Sequence, residues 1–190
     1  MKVFIAGARS VLKLDNEVIK RLHQISEKEY DVLIGDCNGV DTAVQKYYTQ
    51  MGYQRVTVFA SNGVARNNVG GWTIHSVPVE SNMKGFDFYK QKDIAMANDA
   101  DYGFMIWDGR SKGTLNNMIN LLNQGKKVLL YLTAFNQMCW IEDLESLQKL
   151  VAQLPIDTQK KFQDLTFARQ KEINTQLSIQ LSVFQQAFSD

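Results

Sequence analysis

The chain has 190 residues, a length that suits one domain of ordinary size or a domain with an appendage. Hydrophobic residues make up 45% and the net charge is +1, so a normal core can form and no global field draws the chain to nucleic acid or an anionic membrane. No apolar run reaches membrane-span length, and Cys37 and Cys139 stand far apart without metal-ligand spacing, as ordinary thiols do in a reduced, cytoplasmic protein.

Taken in order, Val3 to Ala6 is a short continuous apolar run of the buried, parallel-sheet type, too short for a signal segment and followed at once by Arg9. It stops at Gly7-Ala8-Arg9-Ser10. A helix is expected from about Asn16 to Glu29, with Val18, Leu22 and Ile25 as its inner stripe, Asp15 or Asn16 as its cap, and His23 facing solvent. Asp31 to Ile34 is the second strand. It runs into Gly35-Asp36-Cys37-Asn38-Gly39-Val40-Asp41. The helix after that turn carries Val44, Tyr47, Tyr48 and Met51 and closes at Gly52. Arg55 to Ala60 is the third strand. Alternation of strand and helix at this spacing predicts a parallel sheet with crossover helices.

Residues 61–84 break the rhythm. Two turn-rich clusters, Ser61 to Gly63 and Asn67 to Gly71, precede Trp72 to Val79, which alternates loosely like a short edge strand. An irregular insert of this length is read as a lid or as a surface excursion. Gly85 to Asn98 is a helix with Phe88, Ile94 and Ala95 as inward candidates. Tyr102 to Trp107 is a buried strand, and Asp108 to Gly113 is a glycine-rich turn in which Gly109 and Gly113 bracket Ser111. The helix that opens at Thr114 puts Leu115, Met118, Ile119 and Leu122 on one face and ends at Gly125. Lys127 to Leu132 is expected to be the last strand. Beyond Thr133 glycine disappears and glutamine becomes frequent. Leu144, Leu147, Leu150, Val151 and Leu154 form one helical stripe, and Ile173, Leu177, Leu181, Phe184 and Phe188 another.

Three turns that follow strands carry glycine: the one after Ala6, the one from Gly35 to Asp41, and the one from Asp108 to Thr114. In an open parallel sheet all three fall on the carboxyl edge, where ligands bind. A helix N-terminus there offers unpaired amides and partial positive charge, and glycine lets a ligand approach the backbone. Arg9 can pair with a phosphate or with Asp36 or Asp41, and Asp41 can meet a ribose hydroxyl or cap its own helix. Neither the dinucleotide-dehydrogenase glycine fingerprint nor a Walker-type loop is present.

These residues resemble a known group. Lys2 to Ser10, Gly35 to Asp41, Lys92-Asp93, and Gly109-x-Ser111-x-Gly113-Thr114 look like the SLOG superfamily, which includes the DNA-processing protein A family, the LOG phosphoribohydrolases and the YpsA group. The resemblance covers residues 1–132. It implies an α/β fold, a Rossmann-like three-layer sandwich with a mainly parallel sheet; the C-terminal helical extension expected over residues 133–190 lies outside it. It also implies a nucleotide or nucleotide-derived, ADP-ribose-like small molecule as ligand, with the chain acting as a sensor or carrier. The expected binding residues are Gly7, Arg9, Ser10, Gly35, Asn38, Gly39, Val40, Lys92, Asp108, Gly109, Ser111, Gly113 and Thr114. Trp107 or Trp72 is the candidate for stacking on a base.

The enzyme alternative is an N-glycosidic hydrolase or transferase of the LOG or nucleoside deoxyribosyltransferase kind, with Asp93 or Asp41 as the carboxylate. The resemblance puts Asn116 and Asn117 where LOG enzymes carry glutamate, and an amide cannot do a carboxylate's acid–base work. No metal or fixed cofactor is expected. The expected partner is the small nucleotide ligand, together with a second copy through the C-terminal helices. Membrane and nucleic acid are not expected partners.

Overall fold

A computed structural model describes residues 1–187, with side chains through residue 180. The strands are β1 (Lys2–Gly7), β2 (Asp31–Ile34), β3 (Val56–Ser61), β4 (Thr73–Val77), β5 (Tyr102–Trp107), β6 (Val128–Leu132) and β7 (Gln137–Ile141). The helices are α1 (Asn16–Glu27), α2 (Val40–Gln50), α3 (Gly85–Asp99), α4 (Lys112–Leu122), α5 (Leu144–Val151) and α6 (Ile156–Ala187). One seven-stranded sheet runs in the order β4-β3-β2-β1-β5-β6-β7. Every pairing is parallel except β6 with β7, which is antiparallel. The fold is therefore the expected α/β, Rossmann-like arrangement with a helix at its C-terminal end.

Two apolar clusters make the layers. Val3, Ile5, Val32 and Phe104 point to one face and pack against Val18, Leu22 and Ile25 of α1 and Val44 and Tyr48 of α2. Phe4, Met105, Trp107 and Leu130 point to the other, against Met96, Leu115 and Met118 and then Leu147, Phe162 and Leu165. Alternation along each strand feeds both faces, which is why the central strands are apolar throughout. Strand order reverses between β1 and β5, so the loops after those two strands part there and leave a crevice.

Several elements differ from expectation. The insert does form the edge strand β4, where His75 stacks on Phe59 with ring centroids 4.4 Å apart. It is no free lid. Fully buried Gln45 donates to the Gly35 and Asn67 carbonyls and accepts from Val69 N, stapling the insert to β2 and α2. A further strand, β7, lies beyond Leu132, where only helices were expected. Both of its faces are partly covered, Cys139 and Ile141 on one and Met138 on the other, so with Gln137 and Trp140 exposed it shows no clean period-2 signal. In α3 the buried residues are Lys92, Met96 and Ala97, while Phe88, Ile94 and Ala95 are only half-buried, so the helix turns a charged residue inward. Every residue of α4 from Thr114 to Leu122 is buried, because α6 covers the side that α3 and the sheet leave open. Of the second C-terminal stripe, Ile173 and Leu177 fall on α6; the side chains of Leu181, Phe184 and Phe188 lie outside the described residues. Among the described residues no helix is long and apolar enough to cross a membrane.

Candidate functional site

The crevice at the carboxyl edge holds a cavity of about 590 Å³. Gly7, Arg9 and Ser10 reach it from the loop after β1, and Cys37 and Asp41 from the turn after β2. Lys92 and Asp93 come from α3; Asp108, Ser111, Gly113 and Thr114 come from the turn after β5. The three glycine-bearing turns thus converge. Gly7 is required by that convergence: a Cβ there would collide with the Ile106 carbonyl and the Val40 side chain. Gly39 has φ of +87° and faces the Arg9 backbone, so the first two turns touch through it.

The other expected residues lie beside the cavity. Asn38 and Arg9 border a smaller cleft next to it. Val40 is wholly buried in the core. Gly35 supports the floor, since a Cβ on it would lie 2.5 Å from Asp41 Oδ2 and 2.8 Å from Lys92 Nζ. Gly109, at φ of +74°, faces Leu132 and Leu154.

Beneath the cavity is a buried ionic network that the sequence pattern did not reveal. Asp36 accepts three hydrogen bonds from Arg66: from the backbone N at 3.0 Å, from Nε at 3.0 Å and from Nη2 at 2.6 Å. Lys92, 2% exposed, donates to Asp93 Oδ1 at 2.7 Å and sits 3.9 Å from Asp36. With its amide nitrogen turned toward them, Asn117 donates to Asp93 Oδ2 at 3.3 Å and to the Gly113 carbonyl at 3.2 Å. Asp41 Oδ2 accepts from Cys37 N at 3.1 Å. Burial pushes the Asp41 carboxyl up to about 6, although Lys92 pulls the other way. Burial would also raise Asp36, but the Arg66 hydrogen bonds and the Lys92 charge outweigh it and hold its pKa below the usual value. Lys92 is held above the usual lysine range: burial opposes its charge, and the carboxylates of Asp93 and Asp41 more than offset that. Burial raises the Cys37 thiol. Among the described residues no group of His, Cys, Asp or Glu is arranged to hold a metal ion.

Above the network lies a layer of cations and rings. The guanidinium of Arg66 is 4.4 Å from the Tyr89 ring centroid and that of Arg9 is 5.7 Å from it. The Lys112 amine is 4.7 Å from the Phe86 ring, and Phe86 is 38% exposed. Arg66, Tyr89, Phe86 and Lys112 were not anticipated. Arg66 stands in an irregular insert 30 residues from its carboxylate, and Tyr89 looks like any other ring on a helix.

The amides expected to hold a phosphate are largely taken by the chain itself. Val40 N donates to the Ala8 carbonyl at 3.3 Å. Thr114 N donates to Ser111 Oγ, which caps α4. Arg110 N and Ser111 N both donate to Asp108 Oδ1, and Ser10 Oγ donates to Asp108 Oδ2 at 2.7 Å. These bonds hold the Asp108 carboxyl below its usual range against the upward push of burial. Neither tryptophan is placed to stack on a ligand base. Trp107 is fully buried and donates to the Ser111 carbonyl, and Trp72 is 7% exposed and donates to the Tyr53 carbonyl.

Fold and rim together define a Rossmann-like α/β protein with a cavity at the carboxyl edge of its sheet. No family model and no curated protein matches the sequence. Among solved structures the chain is similar to DNA processing protein A from Helicobacter pylori, with a TM-score of 0.57 and 16% identity over 88% of this chain and 81% of that one. That structure is described as showing a unique single-stranded DNA binding mode.

Two expectations are corrected by this neighbour. A small-molecule nucleotide or ADP-ribose-like ligand was expected, with a glycosidic enzyme as the alternative, and nucleic acid was not expected as a partner. The neighbour is described as binding single-stranded DNA, against both expectations. The physical reason for the error is twofold. Val40 N and Thr114 N, two of the amides on which a terminal phosphate would depend, are engaged by the chain itself, and a net charge of +1 averages over a surface whose cations gather locally.

Proposed function

We propose that the chain binds single-stranded nucleic acid across the carboxyl edge of its sheet, as a SLOG-type protein of the DNA-processing protein A kind. The observation that carries this reading is the layer in which Arg9 and Arg66 lie against Tyr89 and Lys112 lies against Phe86. Proteins that hold unpaired strands combine a cationic track for the backbone with rings on which bases stack. The fold shared with a single-stranded DNA-binding protein supports the same reading.

In this reading Arg9 and Lys112 meet phosphates, and Ser10, Ser111 and Thr114 lend hydroxyls at the rim. Tyr89 and Phe86 stack on bases. Asp41 and Asp93 are positioning residues: they hold Lys92 charged under the cavity, and Asp36 fixes Arg66 against Tyr89. Residues 1–132 carry the site, and residues 133–187 form an appendage that adds a strand and covers α4.

The test is anisotropy of a labelled oligothymidylate titrated with the full chain, wild type and with Arg9→Ala or Tyr89→Ala. Loss of one stacked base costs about 1–3 kcal/mol, so Tyr89→Ala is expected to weaken binding about 5-fold or more. Unchanged affinity in both variants, with each still folded by circular dichroism, overturns the reading.

A further inference from the structure

The opposite end of the sheet carries a second, unassigned cavity of about 380 Å³. Tyr102, the first residue of β5, and Trp140 of β7 form one wall, with ring centroids 5.7 Å apart. Arg21 of α1 lies 6.0 Å from the Trp140 ring, and Lys28, at the end of that helix, lies 5.9 Å from the Tyr30 ring. Lys127, just before β6, closes the other side.

Three features mark this cavity as a binding surface. First, Tyr102 is 7% exposed, and its hydroxyl has no hydrogen-bond partner among the described residues; the same holds for the buried Arg21 Nε. Burial pushes the Tyr102 phenol up, and the charge and side-chain contact of Arg21 both oppose it, although that contact falls short of good hydrogen-bond geometry. Buried polar atoms in this state are rare in folded proteins and call for a ligand or a water. Second, Trp140 is 49% exposed, a large ring offered to solvent on an edge strand. Third, the charge is one-sided. Asp101 is the single carboxylate in the wall and already accepts the Lys2 backbone amide at 2.7 Å. Lys28 is exposed, and Lys127 is tied only to exposed Glu142, a pair that exchanges readily for a stronger anion.

We propose that this amino edge is a second contact surface for single-stranded nucleic acid. Trp140 stacks on a base, Arg21 and the Tyr102 hydroxyl meet that nucleotide's polar groups, and Lys28 and Lys127 take the flanking phosphates. Cations interleaved with open ring faces suit an unstacked, negatively charged strand better than an acidic peptide, which presents no flat partner for Trp140. This surface does not rest on the carboxyl-edge reading, because the two lie at opposite ends of the strands.

Tryptophan fluorescence tests it directly. Trp72 and Trp107 are buried and Trp140 is exposed, so quenching by oligothymidylate reports on Trp140. The full chain is expected to show saturable quenching, which Trp140→Phe abolishes and Arg9→Ala leaves at the same final amplitude. Trp140→Ala is expected to weaken binding by anisotropy about 5-fold or more. The pair Lys28→Glu with Lys127→Glu is expected to flatten the slope of log K against log salt by about 0.7 for each phosphate no longer neutralised. Absence of quenching up to millimolar strand overturns the proposal. So does unchanged quenching in the double lysine variant, or equal displacement of the strand by polyglutamate. Failure of the carboxyl-edge reading shows separately, as unchanged affinity in Arg9→Ala and Tyr89→Ala.

Discussion

The two ends of the sheet use positive charge differently. At the carboxyl edge the deepest cations are committed inward: Lys92 is 2% exposed and paired with Asp93, and Arg66 makes three bonds to Asp36. At the amino edge the cations stand at the surface, with Lys28 beside Tyr30 and Lys127 on an exposed pair. One end is an ionic framework that shapes a cavity, and the other offers charge to solvent. Cations held by buried carboxylates set geometry and are costly to remove. Cations at the surface set affinity and its salt dependence, and folding barely registers their loss.

The contrast breaks most sharply at Lys92. Lys92→Met leaves Asp41, Asp93 and Asp36 without their shared cation, and urea unfolding is expected to show a loss of about 3–5 kcal/mol. Lys127→Glu at the other end is expected to change stability by less than about 0.5 kcal/mol. Equal effects at the two positions would erase the distinction. Next in size is Gly39→Ala, which forces a side chain onto a φ of +87° and against the Arg9 backbone. A loss of about 2 kcal/mol is expected in the same assay, with weaker oligothymidylate binding because the first two turns are pushed apart.

Asp41 sharpens the comparison through pH. Its folded pKa of about 6 lies above an unfolded value of about 3.9, so between those values the folded chain holds a proton that the unfolded chain does not. The stability this group contributes is present below about pH 4 and is lost as pH rises through 6. Asp41→Asn, which mimics the protonated form, is therefore expected to gain on wild type by about 2 kcal/mol between pH 4.5 and pH 7.5 in urea titrations. A constant difference across that range would show that Asp41 ionises freely. The smallest effect is expected for Arg9→Ala. Arg9 makes one long hydrogen bond, 3.6 Å to Cys37 Sγ, and a ring contact 5.7 Å from the Tyr89 centroid, so stability should hardly change while the salt slope of binding flattens by about 0.7.

Local patterns were legible where a residue's neighbours in sequence decide its place. Val18, Leu22 and Ile25 line the buried face of α1 as their spacing requires, and Gly52 and Gly125 take the positive φ expected after a helix. Convergence of the three turns also followed, because parallel strands oblige every β-to-α loop onto one edge. What escaped depends on contacts between distant segments. Lys92 is buried only because Asp36, Asp41 and Asp93 surround it, and α4 is buried all round only because α6 lies across it. Trp107 was a stacking candidate for standing at a strand end beside the glycine turn. Its indole instead donates to the Ser111 carbonyl and braces that turn from below. Sequence patterns do not separate a small nucleotide from a strand, because both readings need the same rim. Tyr89 and Arg66, which separate them, meet only in three dimensions.

The first turn of α6 grips the glycine loop that carries Ser111. Fully buried Thr158 donates to the Gly109 carbonyl at 2.7 Å, and Lys161 donates to the Arg110 carbonyl at 3.3 Å. Farther along, Glu172 holds Lys90 of α3 at 2.9 Å, on the helix that also bears Tyr89 and Lys92. With 32 residues the helix is about 48 Å long, a stiff rod fastened to one jaw of the crevice near its start and to the other at its middle. Whatever takes hold of its outer half therefore has a lever on how wide those jaws stand.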